Sequence, residues 1–152
     1  MTRSAPARRP GLALGRAVHA STLKCLDLSE NDLGSLGSAM VFSGALQCGV
    51  QTLVLKGCGV RDGAAQDLSR LVVESTRLTV VNVSRNMLGP SGGKKLASAV
   101  AHAQPTLTTV DVGFNPLGVD ATLALVAALA TSRGGTRRGD SMGLQREWVS
   151  DL

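Results

Sequence analysis

The sequence predicts an α/β solenoid of about four strand–helix units, with a parallel inner sheet and outer helices. Three observations predict it. A five-position frame, apolar at all but one place, recurs four times along the chain. Each copy is followed by small or apolar residues at steps of four. Hydrophobic content is 43% while aromatic content is 2%, so the core must be aliphatic. A chain of 152 residues suits one domain with a sizeable core.

The first copy of the frame is Leu23-x-x-Leu26-x-Leu28-x-x-Asn31-x-Leu33. The second runs Val50, Leu53, Leu55, Cys58, Val60, and the third Leu78, Val81, Val83, Asn86, Leu88. The fourth is Leu107, Val110, Val112, Asn115, Leu117. The Asn/Cys position repeats with periods of 27, 28 and 29, which marks one supersecondary unit per copy. Alternation within each frame reads as a short strand.

The second half of each copy reads as a helix. The sets are Gly37, Val41, Ala45; Ala64, Leu68, Val72; Gly92, Leu96, Val100; and Ala121, Leu125, Leu129. Spacing of four puts each set on one helical face. Pro90 suits a helix start, where no backbone donor is needed, and Pro105 suits a helix end. Asp62 and Asp120 stand near helix starts, where negative charge complements the dipole. Gly37 and Gly44 weaken the first of these helices by about 1 kcal/mol each if interior, so it is expected to be the most mobile.

The pattern L-x-x-L-x-L-x-x-N/C-x-L, at this period and with a helical second half, resembles the leucine-rich repeat proteins. The long, slightly unequal units resemble the ribonuclease-inhibitor-like subclass. The resemblance covers residues 23–132. Residues 11–22, with Leu14 and Val18, read as the helix of a partial upstream repeat. The family also includes NOD-like receptor sensor regions and actin-regulatory or ciliary scaffold proteins. It implies that Asn31, Asn86, Asn115 and Cys58 bond backbone groups where the chain leaves the strand. It further implies that the concave face of the sheet binds a partner protein.

The side chains between the inward aliphatic positions belong to that face. They are Cys25, Asp27 and Ser29; Thr52, Val54 and Lys56; Val80, Asn82 and Ser84; Thr109, Asp111 and Gly113. Glu30, Gly57, Arg85 and Phe114 follow at its rim. The face has mixed charge and one aromatic residue, Phe114, where interface hot spots favour Trp, Tyr and Arg.

Catalysis has little support. The histidines, His19 and His102, have no Ser or Cys at a recognisable triad spacing. Cys48 and Cys58 lack zinc spacing, and no cofactor is implied. "GPSGGKK" at 89–95 lacks the hydroxyl residue of a phosphate loop and reads as a helix start. Ran GTPase-activating proteins share the repeat subclass and use a rim arginine. By that resemblance, Arg85 is the one candidate for an alternative role in regulating GTP hydrolysis.

The net charge of +5 lives at the ends. Residues 25–130 are nearly balanced, and stacking aromatics are scarce, so a nucleic-acid surface is not expected. No apolar run is long enough for a membrane-spanning helix. Three cysteines argue against a disulfide framework and for a reducing, cytoplasmic setting. Residues 1–10 are rich in Arg, Ala and Pro and are expected to be disordered. The acid-free first 24 residues also resemble a mitochondrial transit peptide, although a half repeat better explains Leu14 and Val18.

Residues 133–152 read as a basic linker and an amphipathic tail. Leu144, Trp148 and Leu152 fall at steps of four. A repeat stack needs a cover over its last unit. The expected open flank is Val110, Val112, Leu117 and Leu125, with the Trp148 segment as its cover.

Overall fold

Each copy of the frame folds as strand, turn, helix and return. The computed structural model describes residues 10–20 and 22–131. The expectations for residues 1–9 and for the tail with Trp148 lie outside the described residues. A first helix, α1 (Pro10–His19), precedes the four units. The units are β1 (Cys25–Asp27) with α2 (Gly34–Cys48); β2 (Thr52–Val54) with α3 (Ala65–Glu74); β3 (Val80–Asn82) with α4 (Pro90–Ala101); and β4 (Thr109–Asp111) with α5 (Gly118–Thr131). A 3₁₀ turn, Asp62–Ala64, leads into α3.

The strands form one parallel sheet in the order β1-β2-β3-β4. Parallel neighbours require a crossover, and the helices supply it. The register keeps equivalent residues side by side, so Leu26, Leu53, Val81 and Val110 form one row. In the two central units this row and the next, Leu55 and Val83, are fully buried. Leu26, Leu28 and Val110 are only partly buried because an end unit has a neighbour on one side. Burying each aliphatic side chain contributes about 1.5–3 kcal/mol, and most of that is realised only by stacking.

The helical faces lie where the spacing places them. Gly37, Val41, Ala45, Ala64, Leu68, Val72, Gly92, Leu96, Val100, Ala121 and Leu125 are buried, and Leu129 is partly so. Pro90 occupies the first turn of α4. Gly49 ends α2 in the left-handed conformation (φ 71°) and returns its N–H to the Ala45 carbonyl. A side chain at this φ would be strained, which is why glycine serves here.

Gly44 has a role that helix propensity does not show. A Cβ there would lie 2.6 Å from the Gly15 carbonyl oxygen of α1, and one at Gly15 would lie 2.8 Å from Met40 Cβ. The two helices approach backbone to backbone, and the glycines permit it. Thus α1 covers the flank of α2 that would otherwise open the stack to water.

The opposite flank differs from the expectation. Of the four residues expected to be open, Val110 is half-buried, while Val112, Leu117 and Leu125 are each at most 4% exposed. They point into their own unit, and Leu117 also packs over Gly93 of α4. The open apolar surface is instead on α5, where Val119, Leu123 and Val126 are 63%, 63% and 54% exposed.

Candidate functional site: the open sheet face and its rim

Two rows cross the sheet on the face away from the core. Cys25, Thr52, Val80 and Thr109 are in register, as are Asp27, Val54, Asn82 and Asp111. Cys25 and Asp27 are exposed, and the other six are half-buried. The expected face residues are therefore brought together by strand pairing alone.

The second row is largely occupied with local structure. Asp27 Oδ1 accepts the Ser29 N–H at 2.9 Å and the Ser29 hydroxyl at 2.6 Å. Asn82 Oδ1 accepts the same two groups of Ser84, at 2.9 and 2.7 Å. Asp111 Oδ1 accepts the Gly113 N–H at 3.0 Å, while its Oδ2 accepts Asn82 Nδ2 at 3.0 Å. These contacts satisfy backbone donors just after the strand, the turn chemistry typical of Asx residues. Ser84 is buried as a result. The Ser29 hydroxyl and N–H, helped by Lys56, hold the Asp27 carboxyl below its usual pKa range. The second unit departs from the pattern: Val54 and Lys56 take these places and leave an apolar and a cationic side chain half-exposed.

Beneath the rim runs the Asn/Cys ladder. Asn86 Nδ2 donates to the carbonyls of Leu55, Val83 and Ser84. Its Oδ1 accepts from the N–H groups of Cys58 and Val60 in the preceding unit. Asn115 repeats the arrangement with Val83, Val112 and Gly113 as acceptors and Leu88 N–H as donor. Asn31 reaches only Leu28 and Ser29. Cys58 substitutes a thiol that donates to the Leu28 carbonyl at 3.0 Å and the Lys56 carbonyl at 3.5 Å. Burial pushes its pKa up, so the thiol keeps the proton that it donates. Asn86, Asn115 and Cys58 thus tie consecutive units together, whereas Asn31 bonds only within its own unit.

The residue before each Asn or Cys takes a left-handed backbone. Glu30, Gly57, Arg85 and Phe114 have φ of 59°, 65°, 55° and 56°. Only glycine adopts this region without cost, and each of the others stores about 1 kcal/mol of strain. The geometry throws their side chains onto the rim. Glu30, Arg85 and Phe114 are exposed, Phe114 by 62%. The Arg85 guanidinium lies 5.0 Å from the Phe114 ring centroid, a cation–π contact between adjacent units. The Glu30 carboxylate lies over Gly57, where a Cβ would approach its Oε2 to 2.6 Å.

Elsewhere the chemistry is sparse. Among the described residues, no group of three or more His, Cys, Asp or Glu is placed to hold a metal ion. Cys25, Cys48 and Cys58 are free thiols. His102 Nδ1 lies 2.8 Å from the Ser98 carbonyl at the end of α4. An open groove between α3 and α4 is lined by Gln66, Arg70, Glu74, Lys95 and His102 among others. Among the described residues, no helix is long and apolar enough to cross a membrane. Sequence reading passed over the exposed stripe on α5. Its signal was the loss of polar residues: where α3 carries Gln66 and α4 carries Lys94, α5 carries Leu123.

Parallel strands in register, outer helices and an Asn/Cys ladder define a leucine-rich repeat protein, and a family model described as Leucine Rich repeat matches residues 19–38 and 74–97. The repeats are of the ribonuclease-inhibitor-like kind. The chain is 31% identical over 94 residues to ribonuclease inhibitor from Sus scrofa, covering 60% of this chain and 21% of that protein. It is 30% identical over 95 residues to the Homo sapiens NACHT, LRR and PYD domains-containing protein 14, covering 61% and 9%. It thus spans about a fifth or less of the length of these relatives. Among solved structures, leiomodin-1 actin-binding site 2 superimposes with a TM-score of 0.68 at 14% identity, over 84% of this chain and 75% of that one. The Caenorhabditis elegans tropomodulin C-terminal domain gives 0.50 at 16% identity, over 80% and 90%. At these identities the structural likeness concerns the fold.

Proposed function

We propose that the protein is a non-enzymatic interaction module that binds another protein through the open face of its sheet and the adjoining rim. One observation carries this reading: the in-register rows Cys25–Thr52–Val80–Thr109 and Asp27–Val54–Asn82–Asp111 lie on a face that no helix among the described residues covers. The contact residues are those not spent on turns. They are Cys25, Thr52, Val54, Lys56, Val80 and Thr109 on the face, with Glu30, Arg85 and Phe114 at the rim. The polar members Asp27, Ser29, Asn82 and Asp111 support the surface and contribute through their outward atoms, while Ser84 is buried beneath it.

The test is affinity capture from the source cell with the wild type and with Val54→Arg/Thr109→Arg. These positions make no turn contact of the Asp27 or Asn82 type, so the double variant keeps the fold while blocking the face. Loss of a partner retained by an outer-face variant, Lys95→Glu, supports the assignment. Retention of every partner by the double variant overturns it. The alternative, a regulator of GTP hydrolysis, rests on Arg85 and its exposed rim position. Measured stimulation of a GTPase that is lost in Arg85→Ala would establish it; zero stimulation by the wild type removes it.

A further inference from the structure

We propose that the chain forms a two-fold symmetric dimer through the end of its stack, where the outer edge of β4 and the apolar stripe of α5 each meet the same element of a second copy. Both layers of the fold are open at this end. Among the described residues, no strand pairs with the outer edge of β4. Val119, Leu123 and Val126 follow one another at helical spacing on α5, and all three are more than half exposed. Exposed apolar residues scattered singly need no explanation, but three on one stripe do. At the other end α1 lies against α2, so the helix layer there is closed.

The hydrogen bonds of β4 identify the groups that lack a partner strand. Thr109 donates its N–H to the Thr79 carbonyl, and the carbonyls of Asp111 and Gly113 accept from the N–H groups of Val83 and Arg85. These residues face β3. Along a strand the backbone groups turn alternately to one edge and the other. Val110, between Thr109 and Asp111, therefore turns both its N–H and its carbonyl outward. Its side chain has lost cover as well: Leu53 and Val81 of the same row are fully buried, and Val110 is only partly so.

This edge is complementary to itself. A residue with both backbone groups outward can exchange two hydrogen bonds with its own image across a two-fold axis, as one closely spaced pair of an antiparallel ladder. That register sets Val110 against Val110 and Thr109 against Asp111, so no carboxylate meets its own image. The same axis, normal to the sheet, lays the two α5 helices side by side and antiparallel. There α5 presents Leu123 where α4 and α3 carry the exposed Lys94 and Gln66. Its one charged residue, Asp120, is paired with Lys94 of α4 at 3.5 Å. Val126 stands at the place of Ala97, which is only 4% exposed in α4, a helix with a further unit beyond it. The second copy thus supplies to α5 what α5 supplies to α4.

The contact is small. With α5 about 21 Å long, and helix and strand together about 16 Å deep, the end face measures roughly 300–350 Å² per copy. That is under half of the about 800 Å² that each side of a durable complex buries. The dimer is accordingly reversible, and its signature is dependence on concentration. Because the axis is normal to the sheet, the open faces of both copies look the same way and stay uncovered.

Sedimentation of the full chain over a range of concentrations tests the proposal. A reversible monomer–dimer equilibrium is expected. Leu123→Lys places on α5 the residue that α4 already carries at the equivalent exposed position, so the fold is kept. It should weaken the dimer by about tenfold or more. Val110→Pro removes an N–H that no described strand uses, and proline is tolerated at such an edge. It should weaken the dimer similarly, with the circular dichroism unchanged. Mixing Leu123→Lys with Leu123→Glu should restore the pair, because the axis sets α5 against itself. A wild type that is monomeric at every concentration overturns the proposal. So does undiminished dimerisation of Leu123→Lys, which would place the contact elsewhere, or of Val110→Pro, which would remove the strand pairing. A mixture of the two Leu123 variants that stays monomeric overturns the pairing of α5 with itself.

Discussion

Asp62 of the second unit accepts a hydrogen bond from the backbone N–H of Gly89, the residue that opens α4 of the third, at 2.6 Å. One carboxylate thus stands at its own helical start and serves the start of the next helix as well. The same oxygen fills the space over Gly92, where a Cβ would lie 2.5 Å away. Gly92→Ala should therefore destabilise the fold by about 1–3 kcal/mol, the usual range for overpacking. In an open helix the same change would stabilise by about 1 kcal/mol. In Asp62→Ala the second substitution should cost much less, and a double-mutant cycle in urea measures the coupling.

The ladder predicts unequal asparagines. Asn86→Ala leaves several buried backbone groups without a partner, each costing about 1–3 kcal/mol before relaxation. A loss of at least about 3 kcal/mol is expected. Asn31→Ala removes two exposed contacts within its own unit and should cost under about 1 kcal/mol. Equal losses in chemical denaturation would contradict the cross-unit role of Asn86.

Rim strain can be read by comparing two small residues at one site. Arg85→Ala keeps a Cβ at positive φ and loses the Phe114 contact. Arg85→Gly loses the same contact but relaxes the backbone. The glycine variant should be the more stable of the two by about 1 kcal/mol at this left-handed position. If alanine is the better residue, the left-handed backbone at Arg85 is not held in solution.

Acid should act through Asp27. Its carboxyl is held below the ordinary value of 3.8 by the Ser29 hydroxyl and N–H, with Lys56 as the lesser aid. A depressed folded-state pKa means stability present above the unfolded value and lost as pH falls through the folded one. The wild type should lose stability below about pH 4 more steeply than Asp27→Asn, which retains an acceptor as Asn82 does but does not titrate. The check is the urea midpoint of both proteins between pH 6 and pH 2, within the range about pH 4 that ordinary carboxyls set.

The architecture was legible because it rests on spacing. Leu53, Leu55, Leu68 and Leu96 repeat at fixed distances, and periodicity alone assigns them to the core. The contacts that the sequence concealed run between units or between neighbours of opposite apparent purpose. Gly44 reads as a weak helix residue until Gly15 is seen against it. Asp62 reads as a dipole partner for its own helix until Gly89 turns toward it. Asp27 and Asn82 read as free face residues until Ser29 and Ser84 claim one oxygen each. Leu123 could have been found by aligning α5 with α3 and α4. The left-handed rim could not, because Glu30, Arg85 and Phe114 share no residue type with Gly57.

The strand register also fixes the size of what the open face can grip. Four strands about 4.8 Å apart span roughly 14 Å from the first row to the last. Six residues from strand start to rim, five steps apart, span about 16 Å. A patch of that size is on the order of 200 Å², far below the roughly 800 Å² that each side of a durable protein complex buries. As the proposed contact surface, it has room for one helix or one extended segment of a partner. Contact with these strands alone is therefore suited to rapid exchange, and tighter association requires the rim, with Arg85 and Phe114, to share in the contact.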